Sequence, residues 1–372
     1  MPKGTELTLL PLCQGAPSPK LTTKHAFAFL TSARSIIQSF HADLGVPADD
    51  VSQAISDGLN DQGLSVTVQW DYDVPGLPDA TSCNISTAVS AMDLSTYILA
   101  SFATVEQVRQ AVDPASFTVV NFHLSDAAMA ILKEAGLIAP QGHPFIHLGI
   151  SDAKHDSLVI EFIEGNTHAL RENPAGVLTN EPQLPGHYRQ LHSYMKSRFE
   201  VPQTAYQRFH PGTFAPVHYN STFYAPPGDH SSQSRFIRLA MLNQVAGLRS
   251  WPEKEGWVPQ GSGPSKGLWE AAENILNTIV LPPSIDDAGG AGVKNYDYTQ
   301  VSILRDHVNL VYYFRSPASP QWQAVSLKDS AVMAGARNGQ KPLFVVVPIA
   351  HNSKQPWYTD ISSDVARGQR AT

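Results

Sequence analysis

Residues Leu64 to Trp70, read Leu-Ser-Val-Thr-Val-Gln-Trp, alternate apolar and polar positions with period two, which predicts a β-strand with one buried face. The same short apolar alternation predicts strands over 24–31, 117–122, 143–150 and 157–163. The last two flank the turn Asp152-Ala153-Lys154-His155-Asp156 and so form a hairpin. Val177 to Asn180 reads as a short strand that Glu181-Pro182 stops. Strands over 298–304 and 310–315 pair around Asp306-His307, and 323–325 and 343–347 add two more. Helical spacing links Leu94, Ile98, Leu99, Phe102, Val105 and Val108. Inside that stretch Thr104 and Gln107 stand three apart, as a capping box requires, and mark a second helix start. Further helices are expected within 36–55, where Gly45-Val46-Pro47 breaks them, and over 188–199, 232–248 and 267–280. Asp57 to Gly63 is dense in turn formers and predicts a turn; 71–84 and the aromatic stretch 204–224 read as loops. Hairpins alternate with blocks of helices, so the fold class is α+β, with sheets covered by helices. No composition break divides the chain, so 1–372 is taken as a single domain with a frayed tail at 360–372.

Composition narrows the function. With 42% hydrophobic and 16% charged residues over 372, the chain can bury a sizeable core. The net charge is -7, and no block of lysine and arginine interrupts the sequence, so no nucleic acid and no polybasic membrane contact is expected. No run of 18 apolar residues predicts a membrane span. Met1 to Thr8 lack the apolar stretch of a signal peptide, and no compartment is assigned. Two cysteines, Cys13 and Cys83, rule out a disulfide-dense scaffold and a four-cysteine zinc site. Of the fourteen histidines, His143 and His147 stand four apart, but Pro144 between them and the strand-like surroundings argue against a helical metal pair. They are read as core or surface histidines, and no metal or cofactor is expected.

Four features carry chemistry. They are the Asp57–Gly63 turn with the strand ending at Trp70, the hairpin with Ser151-Asp152 and Asp156-Ser157, Thr179-Asn180 at a strand end, and the helix start at Arg235. Ser231, Ser232 and Ser234 can cap that helix, but a cation in a first turn gains nothing from the helix dipole, so Arg235 needs another reason to be there. In this order the segments resemble the choloylglycine hydrolase family, the linear-amide C–N hydrolases that include bile salt hydrolases and penicillin V acylases. Asp57 to Leu64 is similar to the family's D-G-M-N-E-x-G-L, and Leu94 to Val108 to its Y-L-L-x-x-F-A-T-V-x-E-V. Ser151 to Phe162 resembles S-D-A-x-G-D-S-x-x-x-E-Y, Val177 onward V-x-T-N-x-P, and Pro227 to Arg238 L-P-G-D-x-S-S-x-S-R-F-V-R. The match is strongest over 57–316.

The resemblance implies the N-terminal nucleophile hydrolase fold, a four-layer αββα sandwich. It implies a nucleophilic cysteine exposed as the first residue, whose own α-amino group, with an ordinary pKa near 8, takes the thiol proton. Met1 to Leu7 resembles the family's P-R-G-x-E stretch, which lies downstream of that cysteine and of a G-R-[TS]-x-[DE]-W segment. Neither is in the 372 residues, and Cys13 and Cys83 come too late in the family's order. The first strand and the nucleophile are therefore expected to be missing from this chain, with a lost or miscalled start as the cause. Asn180 matches the family's oxyanion-hole asparagine and Arg235 its arginine near the nucleophile. Trp70 falls where the family has a variable residue whose neighbouring backbone completes the oxyanion hole; with Asn60 it is expected to line the substrate pocket. The implied partner is a small-molecule amide, and a homotetramer is the implied assembly. The competing expectation is a catalytically inactive homologue, or a small-molecule amide- or lipid-binding protein.

Overall fold

The computed structural model describes residues 55–79, 86–121, 145–165, 167–199, 226–245, 266–282, 296–317 and 319–328, with shorter stretches at 6–8, 12, 20–22, 24–25, 27–30, 130 and 286–287. The elements run β1 (Glu6–Thr8), β2 (Lys20–Thr22), β3 (Phe27–Leu30), β4 (Asp57–Asn60), β5 (Ser65–Trp70), β6 (Ala88–Ser90), α1 (Leu94–Ser101), α2 (Val105–Ala111), β7 (Thr118–Val120), β8 (Ile146–Ser151), β9 (Ser157–Ile163) and β10 (Thr167–Glu172). Then follow α3 (Leu184–Phe199), α4 (Ser232–Val245), α5 (Lys266–Asn277), β11 (Asp286–Asp287), β12 (Tyr296–Asp297), β13 (Ser302–Asp306), β14 (Val311–Ser316) and β15 (Ser319–Ser326). The expected helices within 36–55, the 204–224 loop, the 343–347 strand and the 360–372 tail lie outside the described residues, as do Cys13, Cys83 and His143.

Six strands in the order β10-β9-β8-β5-β4-β3 form one antiparallel sheet, and β13-β14-β15 form a second. The period-two pattern of β5 gives the first sheet two unlike faces. On one face Val66, Leu148, Ile150, Leu158, Ile160 and Phe162 pack under Leu94, Ile98 and Leu99 of α1 and Val105 and Val108 of α2. Removing each such side chain from water contributes about 1.5–3 kcal/mol. On the other face Leu59 meets Tyr312, Phe314 and Leu327 around the second sheet, and Val159 joins Leu184, Leu191, Phe236 and Ile237 of α3 and α4. Helices thus cover one side of the large sheet, and a second sheet with two more helices covers the other.

Two local expectations give way to tertiary structure, and one strand is added. Asp57 to Asn60 is a fully buried strand paired on both sides, and the turn is confined to residues 61–63. Tertiary bonds override the turn preference: Tyr312 Oη donates to Asp57 Oδ1 at 2.9 Å, and Arg305 pairs with Asp57 Oδ2 at 3.1 Å. Gly63 closes the hairpin at φ +81°, and a Cβ there would run into the His307 carbonyl, so only glycine fits. Val177 to Asn180 is not a strand. Side chains satisfy its carbonyls instead, beginning with Asn173 Nδ2 donating to Val177 O at 3.1 Å. The edge strand β10 has no counterpart among the expected strands, because its partly exposed face breaks the apolar alternation. Thr104 caps α2 as expected, accepting from the Gln107 N–H at 3.3 Å, while the Gln107 side chain accepts from Ala103 N at 2.8 Å, one residue before the cap.

Candidate active site

Strand pairing places Gln69 beside His147, and one step across the sheet stands Glu161, its Oε1 4.0 Å from His147 Nδ1. All three lie on the face turned towards α3 and α4. His147 and Glu161 are fully buried. Asp71, just past β5 and also buried, brings its Oδ2 to 3.8 Å from the same Nδ1. Glu161 is held by the Leu184 N–H at the start of α3 and by Arg171 Nε at 3.2 Å. Burial pushes the Asp71 carboxyl up to about 7, with the nearby charges of Asp73, Glu161 and Glu181 adding to the effect. Burial likewise raises Glu161 and lowers His147 to about 4, the latter helped down by neighbouring His187.

The segment carrying Asn180 lies directly against this cluster. His147 Nε2 donates to Thr179 O at 2.8 Å, and His187 Nε2, from the first turns of α3, donates to Asn180 O at 2.8 Å. Thr179 Oγ1 donates to Ser232 O at 3.0 Å and accepts from Ser232 Oγ at 3.0 Å. Those two bonds fasten the Asn180 segment to the start of α4, where Arg235 sits half-buried in the first turn. The His187 ring stacks on Phe236 at 4.5 Å. Burial, and then the charge of Arg235, lower the His187 pKa, which puts that guanidinium in the same neighbourhood.

The start of α4 is built as its serines suggested, with one addition. Ser231 Oγ accepts from the Ser234 N–H at 3.3 Å. Asp229 accepts from Ser231 N at 3.0 Å and from Ser234 Oγ at 2.6 Å, and the hydroxyls of Ser231 and Ser234, with that N–H, hold its carboxyl down to about 2. Arg238 grips the same loop through the carbonyls of Pro227 and Asp229. Ser232 does not cap; its hydroxyl serves Thr179.

Asn180 and Arg235 are therefore brought together, through His187 and the Thr179–Ser232 bonds. Trp70 and Asn60 are not. Trp70 pairs with Ile146, so the pleat turns it to the face opposite Gln69 and His147. It is 37% exposed and stacks with Tyr72 at 6.4 Å; Tyr72 in turn meets Phe145 at 4.9 Å. Asn60 lies at the other end of the β4–β5 hairpin. Its Nδ2 donates to Leu99 O at 3.0 Å and Phe102 O at 2.7 Å, and its Oδ1 accepts from Gln62 N and Leu64 N, both at 3.0 Å. All four hydrogen-bonding positions of that amide are thus taken by backbone groups. His187, Asp71 and Glu161 are not among the residues that the sequence pattern singles out. The signal for Glu161 was legible: a lone carboxylate in the apolar run Leu158-Val159-Ile160-Glu161-Phe162-Ile163 must be buried with partners. Among the described residues no group of histidines, cysteines and carboxylates is placed to hold a metal ion, and no helix is long and apolar enough to cross a membrane.

Comparison with known proteins gives a family profile, the linear amide C–N hydrolases of the choloylglycine hydrolase family, that matches residues 19–254. An uncharacterized protein of Paramecium bursaria Chlorella virus 1 is 28% identical over 198 residues, which are 51% of this chain and 58% of the viral protein. The chain thus spans less than two thirds of that relative. The bile salt hydrolase/transferase of Lactiplantibacillus plantarum is 26% identical over 309 residues, 77% of this chain and 85% of that protein. The solved penicillin V acylase of Agrobacterium tumefaciens superposes with a TM-score of 0.56 over 88% of this chain and 76% of its own, at 19% identity. That likeness shows a shared fold, the N-terminal nucleophile hydrolase fold.

Proposed function

Because the chain belongs to the choloylglycine hydrolase family of linear amide C–N hydrolases, we propose that it cleaves small linear amides at the site formed by the Asn180 segment and the start of the helix that carries Arg235. The observation that carries this reading is the joining of the two residues by His187, Thr179 and Ser232.

In this mechanism a cysteine thiolate attacks the amide carbon, and its α-amino group takes the thiol proton. The carbonyl oxygen becomes an oxyanion, to which the Asn180 side-chain amide donates. Arg235 adds a fixed positive charge that cannot titrate and can hold a substrate carboxylate. Collapse of the tetrahedral species expels the amine, which leaves with the proton. Water then hydrolyses the thioester to the free acid and regenerates the thiol. The nucleophile in this reading is the N-terminal cysteine of the family, contributed by residues that precede the matched segment.

The test is hydrolysis of penicillin V, a glycine-conjugated bile acid and an acyl-homoserine lactone. It uses the encoded protein together with any residues that precede Met1. Turnover of at least one amide, abolished by replacing the N-terminal cysteine, is the expected result. No turnover of all three overturns the reading, and full activity of the 372-residue chain alone overturns the assignment of the nucleophile.

A further inference from the structure

We propose, resting on the role given to Asn180 above, that His147 and His187 are positioning residues that set the direction of the Asn180 side chain. A peptide bond is planar, so holding a carbonyl fixes the whole plane that contains it. The Thr179 carbonyl lies in the plane entering Asn180, and the Asn180 carbonyl in the plane leaving it. His147 holds the first at 2.8 Å and His187 the second at 2.8 Å. Fixing both planes fixes φ and ψ of Asn180, and with them the direction of its Cα–Cβ bond. In a strand, ladder bonds would do this, but residues 177–180 form none, so side chains take the task.

The two histidines come from separate rigid elements. His147 stands on β8, paired with β5, and is fully buried. His187 is also fully buried, on α3, and its ring lies flat on Phe236 of α4, the residue after Arg235. The same ring therefore aligns Asn180 with the helix that carries the cation.

A carbonyl oxygen only accepts, so each histidine must carry its proton on Nε2. At His187 the Thr179 hydroxyl also lies 3.2 Å from Nε2, but its own proton goes to Ser232 O, so it too stands as an acceptor. Burial keeps both rings neutral, so Nδ1 is the unprotonated position on each. At His147 this nitrogen faces Asp71 at 3.8 Å and Glu161 at 4.0 Å, with His187 the further titratable neighbour from α3. At His187 the facing charge is Arg235 from α4, which disfavours an imidazolium. Both rings are neutral Nε2–H donors in this arrangement.

The experiment is nitrogen-detected NMR on the whole chain at pH 7, reading the imidazole protonation directly. Neutral Nε2–H forms at both His147 and His187 are expected, and a ring found with its Nε2 unprotonated overturns the proposal without need of a variant. A second arm follows the Asn180 backbone and side-chain amide signals in His147→Asn, His187→Asn, His147→Gln and His187→Gln. A glutamine nitrogen reaches the place of Nε2 and an asparagine nitrogen does not. The asparagine variants should move the Asn180 signals and the glutamine variants bring them back; unmoved signals in both asparagine variants overturn the proposal. In turnover, His187→Asn should lower kcat by about tenfold or more, with KM changed by no more than about threefold, and His187→Gln should restore it. A wild-type protein that hydrolyses no linear amide removes the assignment of Asn180, while the NMR arms still decide whether the histidines position it.

Discussion

Asn180 is half-buried beside the cation-bearing helix, and its carbonyl is held by His187. Asn60 is wholly buried and ties β4 to the last turn of α1 and to its own hairpin. The same side chain in these two settings predicts opposite outcomes. Asn180→Ala should lower kcat by about 10²–10³-fold, the cost of one oxyanion donor, while the urea midpoint stays near wild type. Asn60→Ala should leave kcat per folded molecule unchanged and lower stability by about 2–4 kcal/mol, because it strips bonds from four backbone groups, two of them buried and two part-buried. Steady-state kinetics and urea unfolding of both variants check this, and a large kcat loss in Asn60→Ala would place that residue in the site after all. Arg235→Ala should cost turnover, with Arg235→Lys recovering only part of it, since an ammonium keeps the charge without the planar fork.

Elements with a periodic hydrophobic pattern were legible, and elements held by tertiary polar bonds were not. The alternation in β5, β8 and β9 and the spacing of Leu94 to Val108 led directly to the sheet and its covering helices. Thr104 with Gln107 marked the start of α2 because capping is local chemistry. By contrast, Asp57 to Asn60 looked like a turn because its residues are turn formers, and the side chains that satisfy its buried carboxylate, Tyr312 and Arg305, lie about 250 residues away. Val177 to Asn180 looked like a strand because nothing nearby shows that histidines from β8 and α3 take its carbonyls. The Asp57 contact also yields a prediction. It joins β4 to β13 and β14, so it fastens the two sheets together. Tyr312→Phe leaves Asp57 Oδ1 without its buried donor and should destabilise by about 1–3 kcal/mol, read as a lower urea midpoint. Thr104→Ala should cost about 1 kcal/mol, as loss of a single cap does. Equal stabilities for wild type and Tyr312→Phe would mean that the Arg305–Asp57 pair and the packing of Leu59, Phe314 and Leu327 join the sheets without help from the Tyr312 hydroxyl.

For the molecule as a whole, the buried titratable cluster of Asp71, His147 and Glu161 makes stability depend on pH in two opposing ways. Asp71 is raised to about 7, so its folded form holds a proton that the unfolded chain releases near 4. Its contribution is fully present below that lower value and is lost as pH rises through about 7. His147 is lowered to about 4, so its contribution is present above the ordinary histidine value near 6.5 and is lost as pH falls through about 4. Between those limits one change offsets the other, and the folded cluster keeps a neutral histidine beside a carboxyl that changes charge near neutrality. Asp71→Asn separates the two. An amide cannot ionise, so the variant escapes the loss at higher pH while His147 behaves as before. Its stability relative to wild type should rise between about pH 5 and pH 8, by at most about 3 kcal/mol and by less as the site relaxes. Urea unfolding of both proteins at the two pH values measures this difference. A difference that stays flat across the range, or one that falls, would mean that Asp71 ionises in the folded protein as readily as in the unfolded chain, and that its burial against His147 and Glu161 exerts no electrostatic cost.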